Sequence, residues 1–319
     1  MVALHVVRGF SLASLLEVKM ICLTGDIHHS SLKWNEQKYI DPKDSEVRIA
    51  YRYLKLVEKY GLKVTFYITG KTFKEEWEDI ERIVTSKFVE IGGHTYSGIP
   101  LGMLRKLLYK ISGIEPPSHA PSYGSRFRQK EDIKKMIDIV KKKTGQDVIS
   151  WRSHGLVHDS NTYSLLAELG VRTISDEISN TKLFPEKTKE GLISHPMNVI
   201  MDHDHVYHAH RTKEYVEKAK ERGYGYVGDF TSDSYTIEEW GEMVERQVVE
   251  IEKNNGIATV LMHPICQYLS DEFKTAERLL KLFSQYKTIW AKEILLQDKV
   301  IIDAQSSMES SHYVCSTTS

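Results

Sequence analysis

The sequence predicts an α/β chain built on a mainly parallel sheet, and two observations carry that reading. Short apolar runs alternate with amphipathic stretches of helical period along most of the 319 residues, as in repeated βα units. Uncommon polar residues fall just past the last apolar residue of those runs, where a parallel barrel gathers its strand ends on one face.

In chain order the expected strands are MICLT (20–24), KVTFYIT (63–69), FVEIG (88–92), DVISW (147–151), VRTIS (171–175), MNVIM (197–201), YGYVG (224–228) and IATVLM (257–262). Between the first two, SEVRIAYRYLKLVEKYG sets Val47, Ala50, Tyr51, Leu54 and Val57 on one helical face and stops at Gly61. NTYSLLAELG repeats the design, with Ser160 as cap and Gly170 as stop. Thr236 and Glu239 have capping-box spacing, so a helix is expected from there towards Asn255-Gly256. Residues 98–130, with Pro100, Pro116, Pro117 and Pro121, read as a long loop holding one helical piece.

With 41% hydrophobic and 27% charged residues the composition is that of an ordinary globular protein, and one large domain is expected. Residues 1–19 read as a non-essential N-terminal extension, 20–303 as the barrel, and the Ser/Thr-rich 304–319 as a disordered tail. Arg8 and Glu17 interrupt the extension and no signal-peptide cleavage site stands out, so a cytoplasmic protein is expected, with Met20 as an alternative start. A formal net charge of -1 offers no field to recruit nucleic acid, and no apolar run is long enough for a membrane span. Cys22, Cys266 and Cys315 form no C-x-x-C pair, so neither a zinc ribbon nor a disulfide framework is signalled. Oligomeric state is not encoded in any recognisable pattern.

Asp26, His94, Arg152, Asp176, the pair Asp202 and His203, and His263 each follow an expected strand. Helix capping selects Asp, Ser, Thr and Asn at such positions; it does not select the histidines of GGHT, LMHP and MDHDHVYHAH. A carboxylate, several imidazoles and an arginine on one face can bind a divalent ion, activate water and protonate a leaving amine. That is equipment for amide hydrolysis. No G-x-S-x-G, P-loop or G-x-G-x-x-G pattern competes with it.

From Thr24 to His263 the chain resembles the polysaccharide deacetylase family, metal-dependent enzymes that remove N-acetyl groups from chitin and peptidoglycan. The resemblance implies a distorted (β/α) barrel of about seven parallel strands. In LTGDIHHS, Asp26 matches the family's catalytic base, and His28 stands where the D-x-D variant has a metal-binding carboxylate. The H-[ST]-x-x-H motif reads GHTYSGIP, so His94 is kept and its i+4 partner, the usual second ligand, is Gly98. R-x-P-[YF] appears as WRSHG, with Arg152 in place and His154 where proline would be. TISDEIS supplies Asp176, and VLMHP supplies His263, matching the histidine that protonates the leaving amine.

These matches imply Asp26, His263, Arg152 and Asp176 as the catalytic set and a first shell of Asp26, His28 and His94 around a divalent metal, for which zinc or another imidazole-tolerant ion is expected. Extra histidines at the same rim offer replacements for the lost ligand: in extended chain His203 and His205 share a face, as do His208 and His210. The competing reading of that cluster is a polar loop lining a substrate cleft. Tyr96, Trp151, His154 and Tyr207 are candidates to line a sugar site. The expected activity is metal-dependent hydrolysis of a non-peptide amide, N-deacetylation of an amino sugar or glycan precursor. The alternatives are a metal-independent hydrolase of cyclic amides or ureides and a catalytically silent carbohydrate-binding relative.

Overall fold

The computed structural model describes residues 19–32, 35–98, 111, 124–221 and 228–294. The expected extension before Lys19, the 304–319 tail, most of the 98–130 loop, the strand residues 224–227 and Cys315 lie outside the described residues.

The expected strand MICLT extends through Asp26 to become β1 (Met20–Ile27), buried almost throughout, and it organises the sheet. Along one edge β1 pairs in parallel with β8 (Ile257–Leu261); along the other it pairs with β2 (Val64–Ile68) and, near its start, with β9 (Lys287–Ile289). Outward from β2 follow β3 (Val89–Gly93), β4 (Ser150–Trp151), β5 (Thr173–Ile174) and β7 (Ile193–Ser194), all parallel. The path β7-β5-β4-β3-β2-β1-β8 is a mostly parallel sheet of seven strands curled into a half-barrel, and β6 (Glu186–Lys187) adds an antiparallel edge.

Helices follow the expected chemistry with some shifts. The helix Glu46–Lys59 starts at Ser45, whose hydroxyl accepts from Arg48 N, and ends before Gly61 at φ +67°. Its buried stripe is broader than the expected face: Ile49 and Tyr53 join the core while Tyr51 stays half-buried. Thr236 and Glu239 form the expected capping box, and the helix runs Ile237–Lys253. The next-to-last expected helix shortens to Thr162–Glu168, capped by Asn161 rather than Ser160. A 19-residue helix, Arg126–Thr144, begins inside the segment read as loop. Its buried contribution is only Gln129, Ile133, Met136 and Val140 among many lysines, too thin an apolar stripe to stand out in sequence.

MNVIM does not form a ladder strand. Met197 makes one isolated parallel bridge to Ile178, and the buried Asn198 side chain replaces the missing ladder. Its Nδ2 donates to Ile257 O (2.9 Å) and Lys182 O (3.0 Å), and its Oδ1 accepts from Thr259 N (2.9 Å). One carboxamide thus ties β8 to the segment leading to Asp202. Asn198→Ala leaves three buried backbone groups unpaired and is expected to lower the unfolding free energy by about 3 kcal/mol. Equilibrium urea denaturation reads this directly, and a loss below about 1 kcal/mol would show the bridge to be dispensable. No helix among the described residues is long and apolar enough to cross a membrane.

Candidate active site

Because the strands are parallel, residues just past their C-terminal ends meet. Asp26 sits near the end of β1, buried, with Oδ1 accepting from Arg152 Nη1 at 2.8 Å. Arg152 is wholly buried and also donates to Ser175 O, Ser175 Oγ and Thr24 Oγ1, with its guanidinium 4.3 Å over the Tyr67 ring. Asp26 Oδ2 faces the other way, 3.6 Å from His94 Nε2 and 3.7 Å from His263 Nε2. Burial alone would raise the Asp26 carboxyl, but Arg152, then His94 and His263, hold it well below the usual carboxylate range. The group is an ionised carboxylate fixed at one oxygen and open at the other.

His263 is the opposite case. Its Nδ1 lies 2.7 Å from Asp202 Oδ1, and its backbone N donates to Asp202 Oδ2 at 2.6 Å. Asp202 is fully buried and also accepts from Gln267 Nε2 and His203 N. Burial works against the imidazolium, yet Asp202 and then Asp26 push His263 up to about 10. His263 therefore carries a proton at neutral pH, and Nδ1 donates to Asp202 while Nε2 points at Asp26. Neutralising Asp202 removes the main support of that proton. Asp202→Asn is expected to move the alkaline limb of the kcat/KM profile down by at least about one pH unit, since activity that needs the protonated form is lost as pH rises through the His263 pKa. An unshifted alkaline limb would exclude His263 as the acid.

The lost ligand has a structural counterpart. His28, His94 and His154 each bring one ring nitrogen into a cluster whose donor atoms lie within 4.8 Å of one another. Their ring centroids are 5.2, 5.0 and 5.1 Å apart. Three imidazoles bound tetrahedrally at about 2.0–2.1 Å from nitrogen to zinc would place their centroids about 5.2 Å apart, so the rings fit such an ion as they stand. The tautomers fit as well. His94 Nδ1–H donates to Arg152 O at 2.8 Å, which leaves Nε2 as a lone-pair acceptor, buried and without a hydrogen-bond partner. His28 Nδ1–H donates to the buried Glu46 Oε1 at 2.8 Å, the carboxylate–histidine arrangement that orients metal ligands. Burial pushes His94 down to about 3 and His154 well below its ordinary value, so both are the neutral bases that a cation requires.

Gly98 takes no part. It sits at φ +66°, and a Cβ there would lie 2.9 Å from Leu32 Cδ1. The space of the usual second ligand is filled by a leucine, and the third imidazole enters from the Arg152 loop instead.

Other predicted residues fall elsewhere. Asp176 is buried against Ser153, accepting from its N at 2.6 Å and its Oγ at 2.9 Å, so it braces the turn that presents His154 and makes no contact with His263. The extended-chain premise for the histidine-rich segment fails because Asp202–His205 is a helical turn. In it His203 and His205 diverge: the rings of His203 and His263 are 5.4 Å apart, while both nitrogens of His205 face backbone carbonyls, Met201 O and Thr231 O. His203, His208 and His210 gather around Glu36, not around the triad. Trp151 is fully buried with its ring against Gly93, Tyr96 packs over Gly70, and Tyr207 is tied to Tyr235 through its backbone; none of the three lines the site cavity. Glu46 and Glu36 are not singled out by the sequence, and Asp202 is placed at a strand end without a role, because an acid in a helical first turn or beside a histidine has an ordinary capping reading.

The cavity holds about 320 Å³. Asp26, His28, His94, His154 and His263 line its polar wall, and Leu156, Ile178, Met201, Leu261 and Ile265 its apolar one. A larger cavity, about 1060 Å³, shares Gly155, Leu156 and Ile178 with it.

Residues 42–174 match the family model described as polysaccharide deacetylase. A crystal structure from Mycobacterium smegmatis, described as a candidate polysaccharide deacetylase, is similar at 16% identity and TM-score 0.62, over 90% of this chain and 91% of that one. A second, from Pseudomonas aeruginosa PAO1 and likewise described, matches at 14% identity and TM-score 0.56, over 86% of this chain and 88% of that one. A protein described as a CE4 family pseudoenzyme from Bacillus anthracis matches at 16% identity and TM-score 0.47, over 87% of this chain and 66% of that one. No curated protein matches the chain.

Proposed function

We propose that this chain, whose residues 42–174 match the polysaccharide deacetylase family model, hydrolyses a non-peptide amide, N-deacetylating an amino sugar or glycan precursor, with a divalent ion held by His28, His94 and His154. The observation that carries this reading is the pairing of opposite protonation states across one gap: an ionised Asp26 and a protonated His263 with Oδ2 and Nε2 3.7 Å apart. Binding alone has no use for a base and an acid poised together. The bound ion would supply Lewis acidity to the acyl carbonyl and to water; zinc or another imidazole-tolerant ion suits three imidazole ligands.

The rest of the chemistry belongs to side chains. Asp26 Oδ2 takes a proton from the attacking water while Arg152, Thr24 and Ser175 keep the carboxylate charged and aimed. His263 Nε2 gives its proton to the departing nitrogen as the C–N bond breaks, and Asp202 stabilises the imidazolium before transfer. Water and amide become a carboxylic acid and an amine, and the proton taken by Asp26 returns to solvent or to His263. Met201, Leu261 and Leu156 offer an apolar wall for an acetyl methyl, and the adjoining cavity leaves room for sugar rings beyond it.

The test is acetate release from N-acetylglucosamine and its oligomers by full-length protein with zinc or cobalt, beside protein stripped with a chelator. Release that depends on the metal and fails in His263→Ala supports the reading. Full metal loading without release from any N-acetylated sugar would overturn it.

A further inference from the structure

Glu36 and His203 also line the site cavity, and a second group of histidines surrounds the Glu36 carboxylate. Glu36 Oε1 lies 3.1 Å from His208 Nε2, 3.0 Å from His210 Nδ1 and 3.5 Å from His203 Nε2. One carboxylate oxygen has two lone pairs, so it cannot satisfy three imidazoles. The geometry reflects this: only His208 makes a proper hydrogen bond to it, while His210 Nδ1, though close, is badly aligned and stays buried without a hydrogen-bond partner. Oriented outer contacts are present too: His208 Nδ1 donates to Val206 O at 2.7 Å, so an ion that takes the place of the Nε2 proton finds that nitrogen already aimed at Glu36.

We propose that Glu36, His203, His208 and His210 form a second divalent metal site, separate from the triad and selective for zinc or a similar imidazole-preferring ion. The oxygen-to-nitrogen separations of 3.0–3.5 Å bracket the edge of a zinc tetrahedron, about 3.3 Å. The ring centroids, 5.8–6.2 Å apart, stand wider than in the His28–His94–His154 triad, so an ion here would have to draw all three rings inward. Cys266 bounds the site, its sulfur within 4.8 Å of the Glu36 and His208 donors. An ion here would cross-link the 35–38 turn to the segment 202–210. That segment also carries Asp202, so the second ion would act as a clamp on the carboxylate under His263 and would not touch the reacting atoms.

The test is metal stoichiometry of full-length protein loaded with Zn²⁺ or Co²⁺ and exchanged into metal-free buffer, with cobalt absorption reporting tetrahedral geometry. Two equivalents are expected in the wild type. His94→Ala is expected to keep one, and His210→Ala and Glu36→Gln one each, with His94→Ala/His210→Ala binding none. Circular dichroism identifies any variant that fails to fold, and His210, whose side chain keeps some exposure where that of His208 keeps none, is the substitution expected to be tolerated. One equivalent in the wild type, lost in His94→Ala but kept in His210→Ala, would overturn the second site and leave the proposed function standing. One equivalent lost only in His210→Ala would support the second site and remove the triad ion.

Discussion

His154→Ala is expected to strip the ion from the triad and to reduce N-deacetylation by more than the roughly 10–100-fold that loss of an outer-shell partner costs. The reason is local. His28 and His94 alone offer two nitrogens, and the position that would supply the third in related motifs is a glycine at φ +66° pressed against Leu32. Gly98→His should therefore rescue nothing: its backbone is strained for a histidine, and its side chain would have to displace Leu32 before reaching the cluster. Elemental analysis and acetate release on His154→Ala, Gly98→His and the double variant read both expectations. Full metal content in His154→Ala would break the triad, and recovery in the double variant would show that the ancestral position is still open.

Asp26→Asn should lower kcat by about 10²–10⁴-fold while leaving the triad loaded, because it removes a proton acceptor and keeps the shape of the site. It should also cost stability. Arg152 is wholly buried and Asp26 is its only carboxylate hydrogen-bond partner among the described residues, so neutralising it leaves a buried guanidinium without a counter-charge, up to about 3–5 kcal/mol. The two effects separate experimentally: single-turnover rates at saturating substrate report the proton transfer, and urea denaturation reports the pair. An unchanged rate with a lowered stability would make the Asp26–Arg152 pair structural only.

Much of this site could be read along the chain. Asp26, His94, Arg152 and His263 stand at strand ends, and parallel strands bring those ends to one rim whatever the loops do. The roles of His154 and Asp202 could not be read so simply. His154 follows Arg152 by two residues in a loop, and its direction depends on a turn held by Asp176 through Ser153. Asp202 looked like one more polar residue before a histidine run; its importance comes from being sealed under His263, 61 residues away in sequence. The MDHDHVYHAH histidines were misplaced for a related reason. Extended geometry pairs residues two apart, whereas the helical turn Asp202–His205 sends them to opposite sides, one to the cavity and one to backbone carbonyls.

Sequence alone determined the parallel sheet, the capping of its main helices and the rim on which the chemistry gathers, because periodicity and strand-end polarity act over a few residues at a time. Tertiary structure alone decided which imidazoles converge, which carboxylate stays ionised and which histidine holds its proton. Those properties follow from burial and from charges on distant segments, and neither is written in any local pattern.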